Sequence, residues 1–204
     1  MSKKKPKVVE QDQVVEQDQK IKAAADKVPF ALLPWRLITN LGLDEFPSAL
    51  EGLAWVFEYG SRKYAPYNFS KAEADHATAL RYLSAYFRHT QKTKREILDD
   101  ESYLPHLDHA SACLVMLLAI CYHNNEWLQK DAEADLLLDA KKDLFTVHDL
   151  FRFSGQLIGG FGSEQEVYDF VKPLATATYR HFSYVEDRLK HTPRSRGNEV
   201  VRVA

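Results

Sequence analysis

The sequence has no excess of charge of one sign and no long hydrophobic run. Among 204 residues, 27 Lys and Arg face 29 Asp and Glu, which gives a net charge of -2. Nucleic-acid and anionic-membrane binding both need a concentrated basic surface, so the composition gives no electrostatic case for either. No stretch approaches the ~18 apolar residues of a spanning helix, and no signal-like segment begins the chain. We therefore expect a cytoplasmic protein.

Cysteine is scarce as well, with two residues in the chain. Cys113 and Cys121 are eight positions apart in an apolar run with a helical pattern. Because that spacing corresponds to about 12 Å along a helix axis, we expect two reduced core residues and no disulfide. Apolar residues at 45% and charged residues at 27% are typical of a soluble globular protein with one core, or one core and a small appendage.

The two ends of the chain are polar and predict tails. A six-residue phrase, Val-Val-Glu-Gln-Asp-Gln, occurs at 8–13 and again at 14–19. It has too few large apolar groups to order itself, so we expect a flexible tail over 1–28. The basic segment 192–204 predicts a second tail. Between them we expect a helical domain over 29–127 and a helical extension over 128–191.

Apolar periodicity predicts an all-α fold. Pro47 suits a first helical turn, and the apolar spacing after it predicts a helix that ends near Gly60. A loop over 63–70 should follow. The next helix is expected over 72–90, with its core positions at Ala77, Leu80, Leu83, Tyr86 and Phe87.

A third helix is expected to begin at Ser102, because acidic residues precede it and favour a helix N-terminus. It should run to Trp127. Its interior over 110–122 is apolar nearly all the way round, which predicts the central buried helix. Further helices are expected over 131–143, 147–157 and 163–190, the last with a possible kink at Pro173.

Four polar clusters recur between these apolar runs and carry most of the chemical information. Together they could hold a divalent cation and a phosphate-bearing ligand. The clusters are Glu51 with Glu58; Lys63, Tyr64 and Asn68; Arg81, Arg88 and His89; and Asp99, Asp100 and Glu101 with His106, Asp108 and His109.

The order of these residues resembles a known family. The segments are Leu33-Pro34, Ala49-Leu50-Glu51, 59–64 with Asn68-Phe69, 79–82 with Arg88-His89, Asp99 to Ser102, and 106–110. They are similar to the phage-associated dATP/dGTP diphosphohydrolase N-terminal domain, a MazG-like branch of the all-α nucleoside triphosphate pyrophosphohydrolases. The resemblance covers 29–122.

The resemblance implies a MazG-like helical bundle over 29–127, with the additional C-terminal helices outside it. It also implies an oligomeric enzyme that uses Mg²⁺, or Mn²⁺, to cleave dATP or dGTP between the α and β phosphates. The products would be the monophosphate and pyrophosphate, and the role would be control of the nucleotide pool in a phage-infected cell.

The carboxylate pattern departs from that of MazG-type enzymes, which carry Glu-x-x-Glu on one helix and Glu-x-x-Asp on the next. Here Ala54 stands three positions after Glu51, and the nearest other acid on that helix is Glu58. With the resemblance, we expect the metal ligands to be Glu51, Asp100, Glu101 and Asp108. Glu51 and Glu101 are also expected to be catalytic.

Substrate-binding candidates come from the cations, aromatics and imidazoles. Lys63, Arg81 and Arg88 suit phosphate, although surface solvation is the alternative and the better one for Arg62. Tyr64 and Asn68 could bind the base or equally fix their own loop. His89, His106 and His109 are further candidates to contact substrate. His106 and His109 could instead ligate a transition metal, or pair in the core with Asp99 or Arg88.

Two other functions remain open at this level. His148-Asp149 is a doublet used by phosphohydrolases that release triphosphate, but two residues are a weak signal. The same fold with an incomplete carboxylate set could also bind a nucleotide or a protein without hydrolysis, and the segment after Asn125 would then be the working surface.

Overall fold

The computed structural model describes residues 27–125 and 163–189, and this part of the chain is all-α as predicted. No strand occurs in it, and the one β-type pairing is an isolated bridge between Leu98 and Pro105. The α-helices are α1 (Trp35–Asn40), α2 (Pro47–Tyr64), α3 (His76–Lys92), α4 (His106–Asn124) and α5 (Glu164–Leu189). Short 3-10 turns occur at Phe30–Leu32, Leu43–Glu45 and Asn68–Lys71. The helices expected over 131–143 and 147–157 and nearly all of both expected tails lie outside the described residues.

Helix α4 is the central element, and α2, α3 and α5 all pack against it. Its residues from Ala110 to Tyr122 are buried except Met116 and Ala119, which are partly buried. Full burial of one large aliphatic side chain contributes about 1.5–3 kcal/mol. A helix that is apolar on every face therefore gains most by lying in the middle of the bundle, as its sequence predicts.

Helix α2 is longer than the sequence predicts. It continues through Gly60 and ends at Tyr64, so the expected loop at 63–70 begins two residues too early. Its last turn is stabilised by an ion pair from Arg62 Nη2 to Glu58 Oε1 at 2.7 Å, and by the favourable position of basic side chains at a helix C-terminus. Lys63 and Tyr64 are thus held on a helix.

The N-terminus of α2 is capped from a distant part of the chain. The carboxylate of Glu186 on α5 accepts hydrogen bonds from Ser48 N at 2.8 Å, Ser48 Oγ at 2.9 Å and Ala49 N at 3.0 Å. The first amide groups of a helix have no partner within it, so this buried carboxylate satisfies them. Glu186 therefore ties α5 to the start of α2.

Helix α3 begins at His76, later than the expected Ala72, because Asp75 caps it. Thr78 N donates to Asp75 Oδ1 at 2.7 Å, and this hydrogen bond lowers the pKa of the Asp75 carboxyl. Leu83 and Tyr86 are buried as expected, but Ala77 is exposed, so its assignment to the core was wrong.

Helix α4 begins at His106, and the expected start at Ser102 was wrong. The acidic segment before it folds into a turn because Asp99 Oδ1 accepts hydrogen bonds from Glu101 N at 3.2 Å and Ser102 N at 3.1 Å. Tyr103 lies in the left-handed region with φ 56°, which allows the chain to reverse before α4. The acidic side chains belong to a rigid turn and not to a first helical turn.

Helix α5 matches the predicted span of 163–190 to within one residue at each end, and Pro173 lies inside it. Cys113 and Cys121 are free and buried, as expected, and burial raises the pKa of each thiol to about 12. Within 27–125 and 163–189, no helix has the length and apolarity needed to cross a membrane.

Candidate functional site

The first contact of the site joins α2 to α4 at Gly52 and Asp108. A Cβ atom at position 52 would lie 2.2 Å from Asp108 Oδ1 and 2.3 Å from Oδ2, so the carboxylate occupies the space of the missing side chain. Asp108 is 1% exposed. Glu51 directly precedes Gly52, but consecutive residues of a helix do not face the same way, so this contact places Asp108 and not the Glu51 carboxylate at the junction of α2 and α4.

A second contact joins the end of α2 to the acidic turn. Glu101 forms an ion pair with Lys63 and accepts a hydrogen bond from Tyr59. The hydrogen bond to Glu101 is the main reason that the pKa of Lys63 is raised, and the same bond with Lys63 lowers the pKa of Glu101. A predicted phosphate ligand and a predicted catalytic acid therefore lie against each other at the surface.

These two contacts lie at different levels of α2. Tyr59 and Lys63 follow Gly52 by seven and eleven residues, or roughly two and three helical turns. Asp100 is exposed on the same turn as Glu101. Asp108 therefore lies at one level of α2 and the acids of the turn at another, and the described residues contain no cluster that joins the four expected ligands Glu51, Asp100, Glu101 and Asp108.

Three histidines from α3 and α4 form a cluster beside that turn. His89 Nδ1 lies 3.0 Å from His106 Nδ1. The ring of His109 stacks on that of His89, with ring centres 4.9 Å apart and an angle of 12° between planes. His109 also meets Tyr59 edge-on at 6.4 Å. Asp99 Oδ2 lies 3.8 Å from His106 Nδ1, so the structure brings together the two residues of one of the pairings that the sequence leaves open.

Ser102 links Asp99 to His109 through its hydroxyl group. Its hydroxyl donates to Asp99 Oδ1 at 3.1 Å and lies 2.6 Å from His109 Nε2, and it accepts a hydrogen bond from Leu104 N at 3.2 Å. Partial burial raises the pKa of Asp99, but hydrogen bonds from Ser102 and the nearby His109 outweigh it, and the net shift is downward. Asp99 is therefore held as a carboxylate.

The histidines are held in the neutral form. Burial is the largest cause for all three, and His109 and His106 add to it for His89, whose pKa falls to about 4. At neutral pH each ring keeps a lone pair on one nitrogen, which is the form that binds metals.

The remaining phosphate and base candidates lie on the surface. Arg81 is exposed, and its Nη2 donates to Thr78 Oγ1 at 3.0 Å. Arg88 is exposed about two turns further along the same face of α3. Tyr64 is 59% exposed and its ring lies 5.3 Å from Lys63 Nζ. Asn68 begins a 3-10 turn and is exposed.

Sequence reasoning missed three contributors to the site: Gly52, Tyr59 and Ser102. A signal was available for Gly52, since a glycine inside a helix costs roughly 1 kcal/mol relative to alanine and often marks a close approach. Tyr59 has no such signal, because only the packing of α4 beside α2 brings His109 to it. Ser102 has none either, because its contact with His109 depends on how the turn folds against the start of α4.

The sequence matches no curated protein and no solved structure. A family model described as dATP/dGTP diphosphohydrolase, N-terminal, matches residues 17–131. This segment exceeds half of the 204 residues and contains α2, α3, α4 and the turn between α3 and α4. The chain therefore belongs to the dATP/dGTP diphosphohydrolase N-terminal family.

Proposed function

We propose that this protein hydrolyses a deoxynucleoside triphosphate, dATP or dGTP, to the monophosphate and pyrophosphate. The observation that carries the proposal is the family match, which spans every element that contributes to the site. The structure adds one support, the position of Glu101 against Tyr59 and Lys63. We place the catalytic domain at 29–127.

Magnesium fits the carboxylate side of the site. Mg²⁺ prefers oxygen ligands and keeps several waters, so it needs one or two protein carboxylates besides the substrate phosphates. We propose Glu51, Asp100, Glu101 and Asp108 as these ligands; Asp108 lies where α2 meets α4, and Asp100 and Glu101 lie on the turn before α4. When bound, the ion would polarise the phosphate and make a water more acidic.

The residues of the chain divide the remaining work. Lys63 is an exposed cation on α2, and Arg81 and Arg88 are exposed cations on α3. A guanidinium grips two phosphate oxygens at once, which suits the two arginines to orienting the triphosphate. A phosphate oxygen of the substrate would replace Glu101 as the partner of Lys63. The released Glu101 carboxylate would then accept a proton from water. Tyr64 and Asn68 lie at the same end of α2 and would contact the base.

The test identifies products after incubation of each deoxynucleoside triphosphate with the protein and Mg²⁺. Monophosphate with pyrophosphate supports the proposal. Nucleoside with triphosphate would instead indicate the chemistry suggested by His148-Asp149, and would overturn it. Nucleotide binding without turnover would indicate a non-catalytic binding protein. Omission of Mg²⁺, and its replacement by Mn²⁺, tests the choice of ion in the same assay.

The same proposal includes an oligomeric state and a role in nucleotide-pool control in the cytoplasm of a phage-infected host cell. Light scattering of the full chain measures the first directly. Nucleotide-pool measurements in cells that express the protein, beside cells that express an inactive variant, test the second.

A further inference from the structure

The three groups His89, Asp99 and His106 form a convergent ligand set, although the sequence suggests only substrate contact for His89. One nitrogen of each ring and one oxygen of the carboxylate all lie within 4.8 Å of one another. His89 Nδ1 lies 3.0 Å from His106 Nδ1, and His106 Nδ1 lies 3.8 Å from Asp99 Oδ2. We propose that these three side chains bind one divalent transition-metal ion.

The spacing fits such an ion. Bonds of about 2.0–2.2 Å from zinc to nitrogen or oxygen place neighbouring ligand atoms roughly 3 to 3.5 Å apart. The distances of 3.0 and 3.8 Å bracket that range, and the third distance, from His89 to Asp99, is no more than 4.8 Å, so the three groups already converge on one point. Three protein ligands would leave a fourth position for water or a substrate atom.

The surroundings orient two of the three ligands. Asp99 Oδ1 accepts three hydrogen bonds, from Glu101 N, Ser102 N and Ser102 Oγ, and this turns Oδ2 toward His106. His89 is fixed by the ring of His109 stacked on it. Hydrogen bonds and packing that fix metal ligands in this way are a usual feature of metal sites.

His106 offers Nδ1 to the common point. The ring is fully buried, and Nε2 has no hydrogen-bond partner among the described residues. Its polar contacts therefore run through Nδ1 alone, to His89 and Asp99. A hydrogen bond between the two rings would explain why His89 Nδ1 lies near His106 Nδ1. It would not explain why Asp99 Oδ2 also faces His106 Nδ1.

The ligand chemistry distinguishes this ion from magnesium. Two imidazoles with one carboxylate suit Zn²⁺, Co²⁺, Fe²⁺ or Mn²⁺, whereas Mg²⁺ prefers oxygen. The site also differs in position from Glu51 and Asp108, since His106 faces α3 and the acidic turn while Asp108 faces α2. The inference does not depend on hydrolysis of a nucleotide.

The test is a titration of the full-length chain, free of any histidine tag and stripped with a chelator, with Co²⁺ alone. Asp99→Asn is the most informative variant, because its amide oxygen can keep the three hydrogen bonds of Oδ1 while nitrogen replaces the ligating oxygen. His89→Ala removes a second ligand. His123→Ala is the control, since His123 is exposed at the far end of α4.

We expect the wild-type chain and His123→Ala to bind one Co²⁺ per chain, with visible absorption of a nitrogen-ligated ion. Affinity should fall at least tenfold in Asp99→Asn and His89→Ala; if the latter does not fold, Asp99→Asn decides. No binding to the wild-type chain, equal affinity in all variants, or displacement of Co²⁺ by excess Mg²⁺ would each overturn the proposal. No nucleotide is present, so the outcome is independent of the proposed function.

Discussion

The carboxylate of Asp108 lies in the space that a side chain at Gly52 would occupy, and this contact fixes how α4 sits on α2. Gly60, eight residues later on the same helix, has nothing within 4 Å of the position of a Cβ atom. The two glycines therefore form a matched pair for testing whether the close approach is what requires glycine.

Gly52→Ala should destabilise the protein and Gly60→Ala should stabilise it. A methyl group at 52 forces Asp108 and α4 to shift, which costs about 1–3 kcal/mol as overpacking does. At 60, alanine gains up to about 1 kcal/mol in helix propensity. Urea unfolding of both variants measures the difference. Equal effects of the two substitutions would show that Asp108 yields without cost.

Glu186→Gln should lower the free energy of unfolding by about 1–3 kcal/mol, because a buried acceptor of three hydrogen bonds loses its charge and one oxygen. Whichever way the amide is turned, its nitrogen replaces an oxygen that accepts either from Ser48 N and Ala49 N or from Ser48 Oγ. Glu73→Gln, at an exposed position before α3, is the control for loss of one negative charge. If both variants unfold at the same urea concentration, the cap contributes nothing to stability.

Glu101→Gln should reduce kcat for triphosphate hydrolysis by about 10²–10⁴, the usual contribution of a positioned general base. Glutamine keeps the shape and the hydrogen bond from Tyr59 but cannot take a proton from water. The circular dichroism spectrum and the unfolding midpoint should stay near those of the wild-type chain, because Glu101 is exposed. An unchanged kcat would remove this residue from the mechanism.

His181 should make the fold less stable in mild acid. It is buried against Tyr86 and Ser111, and burial lowers its pKa to about 4. Between about pH 6.5 and 4 the unfolded chain binds a proton that the folded chain does not, so stability falls as the pH falls. The loss is up to about 1.4 kcal/mol per pH unit from this group.

Urea unfolding across this pH range, with His181→Gln beside the wild-type chain, isolates that contribution. His89 has a similarly lowered pKa and adds to the slope in both proteins, so the difference between the slopes is the quantity to compare. The variant should show a shallower dependence on pH. Parallel curves would mean that His181 titrates in the folded protein as it does in the unfolded chain.

The sequence predicts the fold well where one physical signal dominates. The apolar run at 110–122 can be satisfied only by burial on all sides, and the spacing of Leu50, Leu53 and Phe57 fixes the buried face of α2. Helix ends are less well predicted, because several local signals compete there. At Ser102 the preceding acids suggest a helix start, yet Asp99 forms a turn with the same backbone amides.

The candidate site, too, was predicted only in part. The residue types were identified from the order of Glu51, Lys63, Arg81, Glu101 and Asp108, and these remain the residues of the proposed reaction. Their pairing was not identified. The sequence does not show that Lys63 would face Glu101, because these residues are 38 positions apart and meet only when the turn before α4 folds onto the end of α2.

The sequence by itself determined that the chain is helical, that its most apolar helix is central, and which family it belongs to, since these depend on periodicity and the order of residues. Only the tertiary structure decided that Asp108 takes the space beside Gly52 and that His89 meets His106 and Asp99. Such contacts depend on the register and angle at which separate helices pack. Many residues far apart in the chain set that geometry together, and no local pattern encodes it.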